Sequence, residues 1–542
     1  MHPLAKLDHA HVWHPFTQMR DWLKREPIVI TSGKGTVLRD ANGREYLDAN
    51  SSIWTNLHGH QHPKINAAIT RQLKKISHSS ALGLANEPAS VLAERLVQAA
   101  SPAPAKAKAR KWESEKAGSK TDVSHSHLPT FPPAHFPALP LSKVFYSDNG
   151  STALEVALKL SYEFTRRTRG PKSKPRFLSL AGAYHGDTIG AVSLGQIDLF
   201  HRTYSKLLFK TDRVMAPYCY RCPFNRAKPE REDARNYRKC NWECVGKVDQ
   251  ALTKQKKRGE PYAAFVFEPL MQGAAGMIPQ PSGWLRQTTD LARAHGALLI
   301  ADEVMTGFGR TGIESGQVGT WESEKVRSTH LPAPPPAPFL PLPLSHLPTC
   351  SSAPAFACQH ESVQPDFLCL AKGLTGGYLP MAATVTTQRV FDAFLGEYEE
   401  FKTFFHGHSY TGNQLGAAAA LASLDLLQSR ASAVARAKLQ RALHAELQSL
   451  WALPNVGDIR QVGLVAGVEL VRDWHTREAF DLRERAGIRV CEAMARRGVL
   501  TRPVGNVIVL MPPYCTTPAQ MRRIATVLRE AIEESFSNSP KA

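Results

Sequence analysis

The sequence predicts an α/β protein, because short apolar runs alternate along it with longer amphipathic stretches. Several of the apolar runs end in a polar or ionisable residue, and open α/β sheets bind ligands just outside the carboxyl ends of their strands. The predicted strands are KVFYS at 143–147, RFLSL at 176–180, AAFVFEP at 263–269, ALLIADE at 297–303 and DFLCLAK at 366–372. We expect them to form a mostly parallel central sheet covered by helices.

Three stretches with helical patterns complete this expectation. They are predicted at 151–166, at 412–428, where TGNQ can start a helix before an alanine- and leucine-rich run, and at 518–536. VGNVIVLMPPY at 504–514 is predicted as one strand of a second, C-terminal lobe.

Composition excludes some classes of function. With 43% hydrophobic and 21% charged residues among 542, the chain matches a soluble globular protein, and we expect neither a secretory signal nor a membrane-spanning helix. The net charge of +19 comes from basic residues spread over many segments without a nucleic-acid-binding motif. We therefore expect small-molecule substrates, with no nucleic acid and no membrane as partners. Nine scattered cysteines suit reduced thiols and a cytoplasmic location.

The stretch SDNGSTALEVALKL predicts a phosphate-binding helix end. A strand ends at Ser147, and Gly150 and Ser151 then open a helix whose first N–H groups have no intrahelical acceptor. An ordinary turn with a helix cap has the same pattern, so this motif does not identify the ligand by itself.

Three further residues at strand ends point to one cofactor. Asp302 ends the run ALLIAD, Lys372 ends DFLCLAK and Tyr184 follows RFLSL. An aromatic ring, a carboxylate and an amine, together with the phosphate-binding helix end, are the parts needed to stack the ring of pyridoxal phosphate, pair with its nitrogen and hold its aldehyde as a Schiff base. Each residue has an ordinary alternative, such as a surface lysine, or an ion pair of Asp302 with Arg310; the combination favours the cofactor.

The motifs in order resemble those of the class III aminotransferases. The resemblance rests on HVWHPFTQM, SSIWTNLHGHQHP, VFYSDNGSTALEVALKL, AYHGDTIGAVS, EPLMQGAAGM, LLIADEVMTGFGRTG, PDFLCLAKGLTGGYLP, FFHGHSYTGNQLGAAAA and TRPVGNVIVLMPPY. It implies the type I fold of pyridoxal-phosphate enzymes, with a large domain at 52–429 and a smaller α+β domain built from both termini, 1–51 and 430–542. It also implies a homodimer with active sites at the interface.

The resemblance assigns roles residue by residue. Lys372 would be the catalytic lysine, and the other cofactor-binding residues would be Gly150, Ser151, Tyr184, Asp302, His408 and Ser409, the last reaching the cofactor of the other subunit. Substrate would contact Phe16, Trp54, Tyr184, Gly407, Arg310 and Arg502, with Arg502 on a carboxylate.

Two departures from the family pattern bear on these roles. Phe16 stands where many members have tyrosine, which keeps an aromatic face but loses a hydroxyl, so the amino donor stays open between S-adenosylmethionine and lysine. His408 and Ser409 replace a more usual proline and threonine, and Ser409 keeps the hydroxyl. Two other functions stay possible for a chain with these motifs. One is an ω-amino-acid or diamine transaminase with another acceptor; the other is an inactive interaction protein of this fold, whose active site the insertions block.

Cysteine spacing raises a separate hypothesis. Cys219 and Cys222, followed by Cys240 and Cys244, have zinc-like spacing, but pyridoxal chemistry needs no metal, so we favour reduced thiols and predict no metal site.

A repeated pentapeptide, WESEK, begins at Trp112 and again at Trp321, and a proline-rich run follows each copy. Relatives join the flanking motifs almost directly, so residues 106–140 and 313–354 are predicted to be flexible surface insertions. A polyproline ligand for a partner domain is the alternative.

Overall fold

The computed structural model describes residues 1–101, 139–195, 197–313 and 353–537. Apart from a few terminal residues, the two predicted insertions at 106–140 and 313–354 lie outside the described residues. No helix in the described part of the chain is long and apolar enough to cross a membrane.

The strands are numbered in chain order. They are β1 Ile30–Lys34, β2 Val37–Asp40, β3 Glu45–Asp48, β4 Leu141–Ser147, β5 Phe177–Leu180, β6 Asp212–Val214, β7 Ala264–Phe267, β8 Met271–Gln272, β9 Ile278–Pro279, β10 Leu298–Asp302, β11 Phe367–Leu370, β12 Ala382–Thr387, β13 Val456–Val462, β14 Val465–Asp473, β15 Glu478–Ala479, β16 Val499–Leu500, β17 Pro503–Val504 and β18 Val507–Leu510.

The helices are numbered in the same way. They are α1 Pro3–His11, α2 Met19–Trp22, α3 Ser51–Trp54, α4 Pro63–Lys75, α5 Glu87–Ala100, α6 Gly150–Arg169, α7 Ile189–Leu194, α8 Asp198–His201, α9 Ala234–Tyr237, α10 Glu243–Lys257, α11 Trp284–Ala294, α12 Gln388–Asp392, α13 Gln414–Gln428, α14 Arg430–Gln448, α15 Ala486–Arg496 and α16 Pro518–Phe536. Short 3-10 helices include Ala357–Glu361 and Lys372–Thr375.

The predicted central sheet is confirmed as a mixed, mostly parallel sheet. Its strand order is β4-β12-β11-β10-β7-β5-β6, and all five predicted strands belong to it. Strand β12 runs antiparallel to both of its neighbours, whereas β11, β10, β7, β5 and β6 are parallel. Four of the parallel strands are buried along their whole length, as expected for a sheet covered on both faces.

The three predicted helices are confirmed as α6, α13 and α16, and side chains set where each begins. Asn149 accepts from the backbone N–H of Thr152 at the start of α6, and Asn413 accepts from Gly416 at the start of α13. Helix α16 begins at Pro518 behind the cap Thr517. Proline is favoured at this position because its missing N–H would have no partner there.

The predicted single strand at 504–514 is wrong in detail. The chain turns back at Gly505, which has a φ of 58°, so that β17 and β18 form two antiparallel strands. A positive φ is nearly free of strain for glycine, and the turn therefore falls at that residue.

The described residues contain three smaller sheets, one of which is the two-stranded pair β8-β9. The first has the order β1-β2-β3-β16, and its parallel pair joins Leu47 near the N-terminus to Val499. The second has the order β13-β14-β18-β17, with β15 on β14. The division into domains at 51 and 429 stays a prediction.

Arg460 ties the second small sheet to the central part of the molecule. Its fully buried guanidinium pairs with Asp458 at 2.9 Å and with Glu469, and it donates to the carbonyl oxygens of Gly276 and Met277 in the turn between β8 and β9. Loss of the arginine would leave the buried carboxylate of Asp458 without a cation, whereas Glu469 would keep its pair with Arg221 at 2.6 Å.

Residues just before and just after the segment 314–352 lie close together in the structure. Ile313 and Ala353 lie in one apolar cluster with Ala433 and Ala437 of α14. Nearby, the N–H of Gly309 donates to the carbonyl oxygen of Ala355 at 2.9 Å. Residues before and after the segment are therefore held together by contacts outside it.

Candidate active site

The sheet places Asp302 and Lys372 at the same edge. Asp302 is the last residue of β10 and pairs in register with Cys369 of the neighbouring parallel strand β11, three residues before Lys372. The carboxyl ends of parallel strands meet at one edge, and this is where open α/β sheets bind ligands. This placement is consistent with the prediction that Asp302 and Lys372 belong to one site.

Asp302 has a buried partner that the sequence did not reveal, namely His185. Its Nδ1 lies 2.7 Å from Oδ2 of Asp302, and Oδ1 accepts from the N–H of Val304 at 3.1 Å. Burial alone lowers the pKa of His185, but the hydrogen bond and negative charge of Asp302 outweigh it, so this pKa is raised. The carboxylate is thereby fixed in direction by an imidazole that favours the protonated form.

Lys372 has a left-handed backbone conformation, with a φ of 45°, at the start of its 3-10 helix. Its Nζ lies 4.7 Å from the centroid of the Trp54 ring. Burial lowers the pKa of Lys372, against the opposing effect of the carboxylates of Asp302 and Glu268. A lower pKa makes the neutral amine, which is the nucleophilic form, easier to reach near neutral pH.

The N-terminus of α6 approaches the same edge closely, because glycines occupy two contact points. A Cβ on Gly150 would come within 2.7 Å of a methyl group of Val304, two residues after Asp302. A Cβ on Gly186 would lie 2.0 Å from Oγ of Ser151. The predicted phosphate-binding end of α6 is thus adjacent to the segment that follows Asp302.

Tyr184 connects this edge to an aromatic group. Its hydroxyl donates to Oδ2 of Asp187 at 2.7 Å, and burial raises the pKa of the phenol. The ring stacks on His201 and meets Phe200 edge-on, and Phe200 in turn contacts Phe16 at 5.2 Å. Two of the predicted aromatic residues, Tyr184 and Phe16, are therefore joined through Phe200, whereas Trp54 lies in a separate apolar cluster with Met271 and Met305.

Glu268 is a second buried acid that sequence reasoning missed. Its carboxylate accepts from the N–H groups of Tyr184 at 3.3 Å and Gly273 at 2.8 Å. Burial raises its pKa to about 7, and the charge of Asp302 adds to this shift while that of His185 opposes it. The acid end of AAFVFEP was the available signal, since it ends a buried strand as Asp302 does.

Arg310 lies apart from these groups. Its guanidinium is almost completely buried, donates to the carbonyl oxygens of Pro512 and Asn56, and lies 4.9 Å from the Tyr514 ring centroid. These contacts join backbone segments, and a contact of Arg310 with substrate stays a prediction.

The remaining predicted residues are at the surface. Arg502 is exposed between β16 and β17, two residues from Val504, which packs in the same apolar cluster as Trp54. Gly407 and Ser409 are exposed on the loop before α13, and Nδ1 of His408 lies 3.2 Å from Asp148. The side chain of Ser409 is therefore free to reach a neighbouring molecule.

The zinc hypothesis gains no support from the described residues. They contain no group of three or more histidine, cysteine, aspartate and glutamate side chains placed to hold a metal ion. Cys219, Cys222, Cys240 and Cys244 are free thiols. Burial raises the pKa of Cys219 to about 12 and that of Cys244 to about 11.

The comparisons with known proteins agree with this geometry. The family described as Aminotransferase class-III matches residues 19–110, 127–314 and 350–532, so both unmatched gaps fall inside the predicted insertions. Two curated relatives are named adenosylmethionine-8-amino-7-oxononanoate aminotransferase. The relative from Nitratidesulfovibrio vulgaris is 43% identical over 98% of this chain and 81% of its own length, and that from Geobacter sulfurreducens is 42% identical over 98% and 97%.

Solved structures share the fold. The enzyme of the same name from Methanocaldococcus jannaschii has a TM-score of 0.76 at 34% identity, covering 98% of both chains. An omega transaminase from Pseudomonas jessenii, solved with PMP, has a TM-score of 0.77 at 23% identity and covers 99% of both chains. The chain therefore belongs to the class III aminotransferase family and is a pyridoxal-phosphate-dependent aminotransferase of the type I fold.

Proposed function

We propose that this enzyme transfers an amino group from S-adenosylmethionine or lysine to 8-amino-7-oxononanoate, giving 7,8-diaminononanoate for biotin synthesis. The observation that supports the acceptor is the near full-length similarity, at 43% and 42% identity, to two relatives whose names specify it. Transfer proceeds in two half-reactions, in which the donor first leaves its amino group on the enzyme and the acceptor then removes it.

The residues at the sheet edge would hold the cofactor. The amine of Lys372 would hold its aldehyde carbon, Asp302 its ring nitrogen, and the N-terminus of α6 at Gly150 and Ser151 its phosphate. Tyr184 would lie against the ring. The close approach of α6 to the segment after Asp302 supports this arrangement, because phosphate and ring nitrogen belong to one small molecule.

The chemistry divides between the cofactor and the chain. When bound, pyridoxal phosphate supplies the electron sink for amino transfer. Asp302, oriented by His185, would keep a proton on the ring nitrogen. Nζ of Lys372 would move a proton between the substrate carbon that bears the amino group and the carbon of the cofactor that accepts it, and its lowered pKa suits a group that must both take and release a proton near neutral pH.

Recognition of substrate would use the aromatic group and one cation. Arg502 can form a bidentate pair with the carboxylate of the acceptor, and its exposed guanidinium is consistent with this task. Trp54 would line the pocket next to Lys372, and Gly407 would contact substrate at the subunit boundary. Phe16 offers a ring face without a hydroxyl, so either donor can be accommodated.

We propose further that the enzyme is a cytoplasmic homodimer. Leu82, Phe405 and Tyr410 are exposed large side chains, and Tyr410 contacts His78, the residue whose Nε2 lies 2.9 Å from the carbonyl oxygen of Ser409. Leu82 lies four residues from His78 in the chain and Phe405 four residues from Ser409, and exposed large apolar side chains grouped in this way favour an interface. In the dimer, the hydroxyl of Ser409 would reach the phosphate of the other subunit's cofactor, with His408 beside it.

One set of experiments tests the cofactor chemistry and the substrates separately. Borohydride reduction of the purified holoenzyme followed by peptide mass spectrometry should find the cofactor on Lys372 and nowhere on the Lys372→Ala variant. Assays of 8-amino-7-oxononanoate with S-adenosylmethionine and, separately, with lysine should show product with one of the two donors. Lys206 is exposed in the 3-10 helix Arg202–Leu207 and provides the matched Lys206→Ala control.

Each failure has a distinct meaning. If no cofactor is attached to the wild-type protein, the chain is the inactive binding protein. If the cofactor is attached but only other keto or aldehyde acceptors react, the chain is an ω-amino-acid or diamine transaminase. An Arg502→Met variant should raise the KM for the acceptor by on the order of tenfold or more, since it removes a charge-assisted pair.

A further inference from the structure

A left-handed turn lies at the centre of the substrate side of the site. Ser51, Ser52, Ile53 and Trp54 have φ values of 47°, 47°, 68° and 72°. The backbone N–H of Trp54 donates to the carbonyl oxygen of Asn50 at 2.9 Å, so the four residues form one hydrogen-bonded turn. None of them is glycine, and left-handed turns of L-residues are disfavoured, most of all at a β-branched residue such as Ile53.

Buried polar contacts hold this turn in place. Asp48 accepts from the backbone N–H of Asn50 at 3.1 Å and from the N–H and hydroxyl of Ser52, and Nε2 of His60 lies 3.1 Å from the same carboxylate. On the other side, the hydroxyl of Ser51 donates to a carbonyl oxygen at 2.6 Å. A strained conformation persists only where its surroundings determine it in this way.

The turn directs the Trp54 ring towards the catalytic lysine. Nε1 of the indole donates to Oδ1 of Asn50 at 2.9 Å, and Nζ of Lys372 lies 4.7 Å from the ring centroid. The far edge of the ring is limited by Gly273, where a Cβ would stand 3.4 Å from Cζ3. The indole thus makes a hydrogen bond with Asn50 and a cation–π contact with Lys372, and the backbone of Gly273 lies next to its far edge.

We infer that Asn50 is a positioning residue for the aminotransfer reaction, because it fixes the Trp54 indole over Nζ of Lys372. Asn50 occupies the cap position of the turn, yet its side chain accepts no capping hydrogen bond. Its amide oxygen is instead directed to the indole. The side chain of Asn50 therefore orients the Trp54 indole and does not cap the turn.

This inference rests on the proposed role of Lys372, but not on the identity of the substrates. It requires that the effect of Asn50 pass through Trp54. A double-mutant cycle measures that dependence directly, because two residues that act through one contact do not lose their contributions additively.

The cycle uses Asn50→Ala, Trp54→Phe and the double variant, with kcat and KM measured for each. Asn50→Ala alone should lower kcat/KM by on the order of 10- to 100-fold, since small misplacements in an active site cost that much. In the Trp54→Phe background, which lacks the indole donor, Asn50→Ala should change kcat/KM by less than about threefold. Asn455→Ala, which removes an asparagine far from the site, is the control.

A second readout needs neither cofactor nor substrate. In cofactor-free protein, the rate at which an amine-acylating reagent labels Lys372, followed by peptide mass spectrometry, reports how well the indole covers Nζ. The rate should rise several-fold in Asn50→Ala and return towards the wild-type rate in Asn50→Asp, which keeps an acceptor oxygen. If the proposed substrates are wrong, this result is unaffected.

Two results would overturn the inference. One is an equal loss of kcat/KM from Asn50→Ala in both backgrounds, and the other is an unchanged labelling rate of Lys372. If Asn50→Ala does not fold, Asn50→Asp and Trp54→Phe complete the labelling comparison. Wild-type labelling in Trp54→Phe would then exclude the indole as the cover of Lys372.

Discussion

Deletion of the second WESEK segment tests whether the enzyme works without it. The change removes residues 314–352 and joins Ile313 to Ala353 through a four-residue glycine-serine linker. A short link suffices because both end residues already pack against the same two alanines of α14, Ala433 and Ala437. The family match also stops at residue 314 and resumes at residue 350.

The expected gain in stability follows from loop closure. Replacing the 39 residues at 314–352 by four lowers the closure cost by (3/2)RT ln(39/4), which is about 2 kcal/mol. Urea unfolding of the deletion variant should therefore give a free energy of unfolding higher by about 2 kcal/mol, with kcat and KM unchanged. A glycine-serine segment of the original length is the matched control, and it should unfold like the wild-type protein.

Each possible result of the deletion leads to a different conclusion about the segment 314–352. A deletion variant that fails to fold or to bind pyridoxal phosphate would refute the interpretation of the segment as an insertion, because the described contacts would then be insufficient to close the chain. A higher kcat/KM with normal stability would show that the segment restricts access to the site. This distinguishes a neutral insertion from the inhibitory one considered as an alternative.

Three further predictions concern stability, measured by urea unfolding. Ile53→Gly should be more stable than Ile53→Ala by about 1 kcal/mol, because glycine accepts the left-handed φ. Arg460→Met should lose about 3–5 kcal/mol, since the buried carboxylate of Asp458 stays unpaired, whereas Arg472→Met at an exposed pair should lose less than about 1 kcal/mol. In cofactor-free protein, the free energy of unfolding of wild type minus that of Glu268→Gln should fall by about 3 kcal/mol as the pH rises from 4.5 to 7. The reason is that the folded protein keeps a proton on Glu268 that the unfolded chain releases.

The parts of the site that the sequence predicts well are those that depend on strand ends. Asp302 and Lys372 each follow an apolar run long enough for a buried strand, and parallel strands bring such ends to one edge whatever the strand order. The start of α6 at Gly150 is readable for a similar reason, because glycine and a capping residue between a strand and a helix leave few other conformations. Local signals of this kind are sufficient wherever the sheet itself supplies the long-range arrangement.

Other features depend on contacts between distant residues, and local patterns do not report them. His185 is one histidine in a turn, and only its 2.7 Å contact with Asp302 gives it a role. The parallel pairing of Leu47 with Val499 joins the two ends of the chain, so neither strand has a recognisable partner nearby. The antiparallel direction of β12 likewise depends on how the chain returns after Lys372.

The left-handed turn at 51–54 was not predictable because its residues oppose it. Serine, isoleucine and tryptophan favour other conformations, so the turn exists only through Asp48 and the tertiary contacts around it. Lys372, which faces the turn, also has a positive φ. Trp54 and Lys372, whose side chains contact each other, therefore both have a strained backbone conformation.

The strained turn at 51–54 gives the Ile53 comparison a second consequence. If the strained turn serves to orient the indole, Ile53→Gly should gain stability over Ile53→Ala and yet lower kcat/KM, because glycine also permits conformations that carry Trp54 away from Lys372. Labelling of Lys372 in cofactor-free protein should rise in the glycine variant and not in the alanine variant. Equal activity and equal labelling in both would mean that the turn is held by its neighbours alone, and that the strain at Ile53 contributes nothing to the position of the ring.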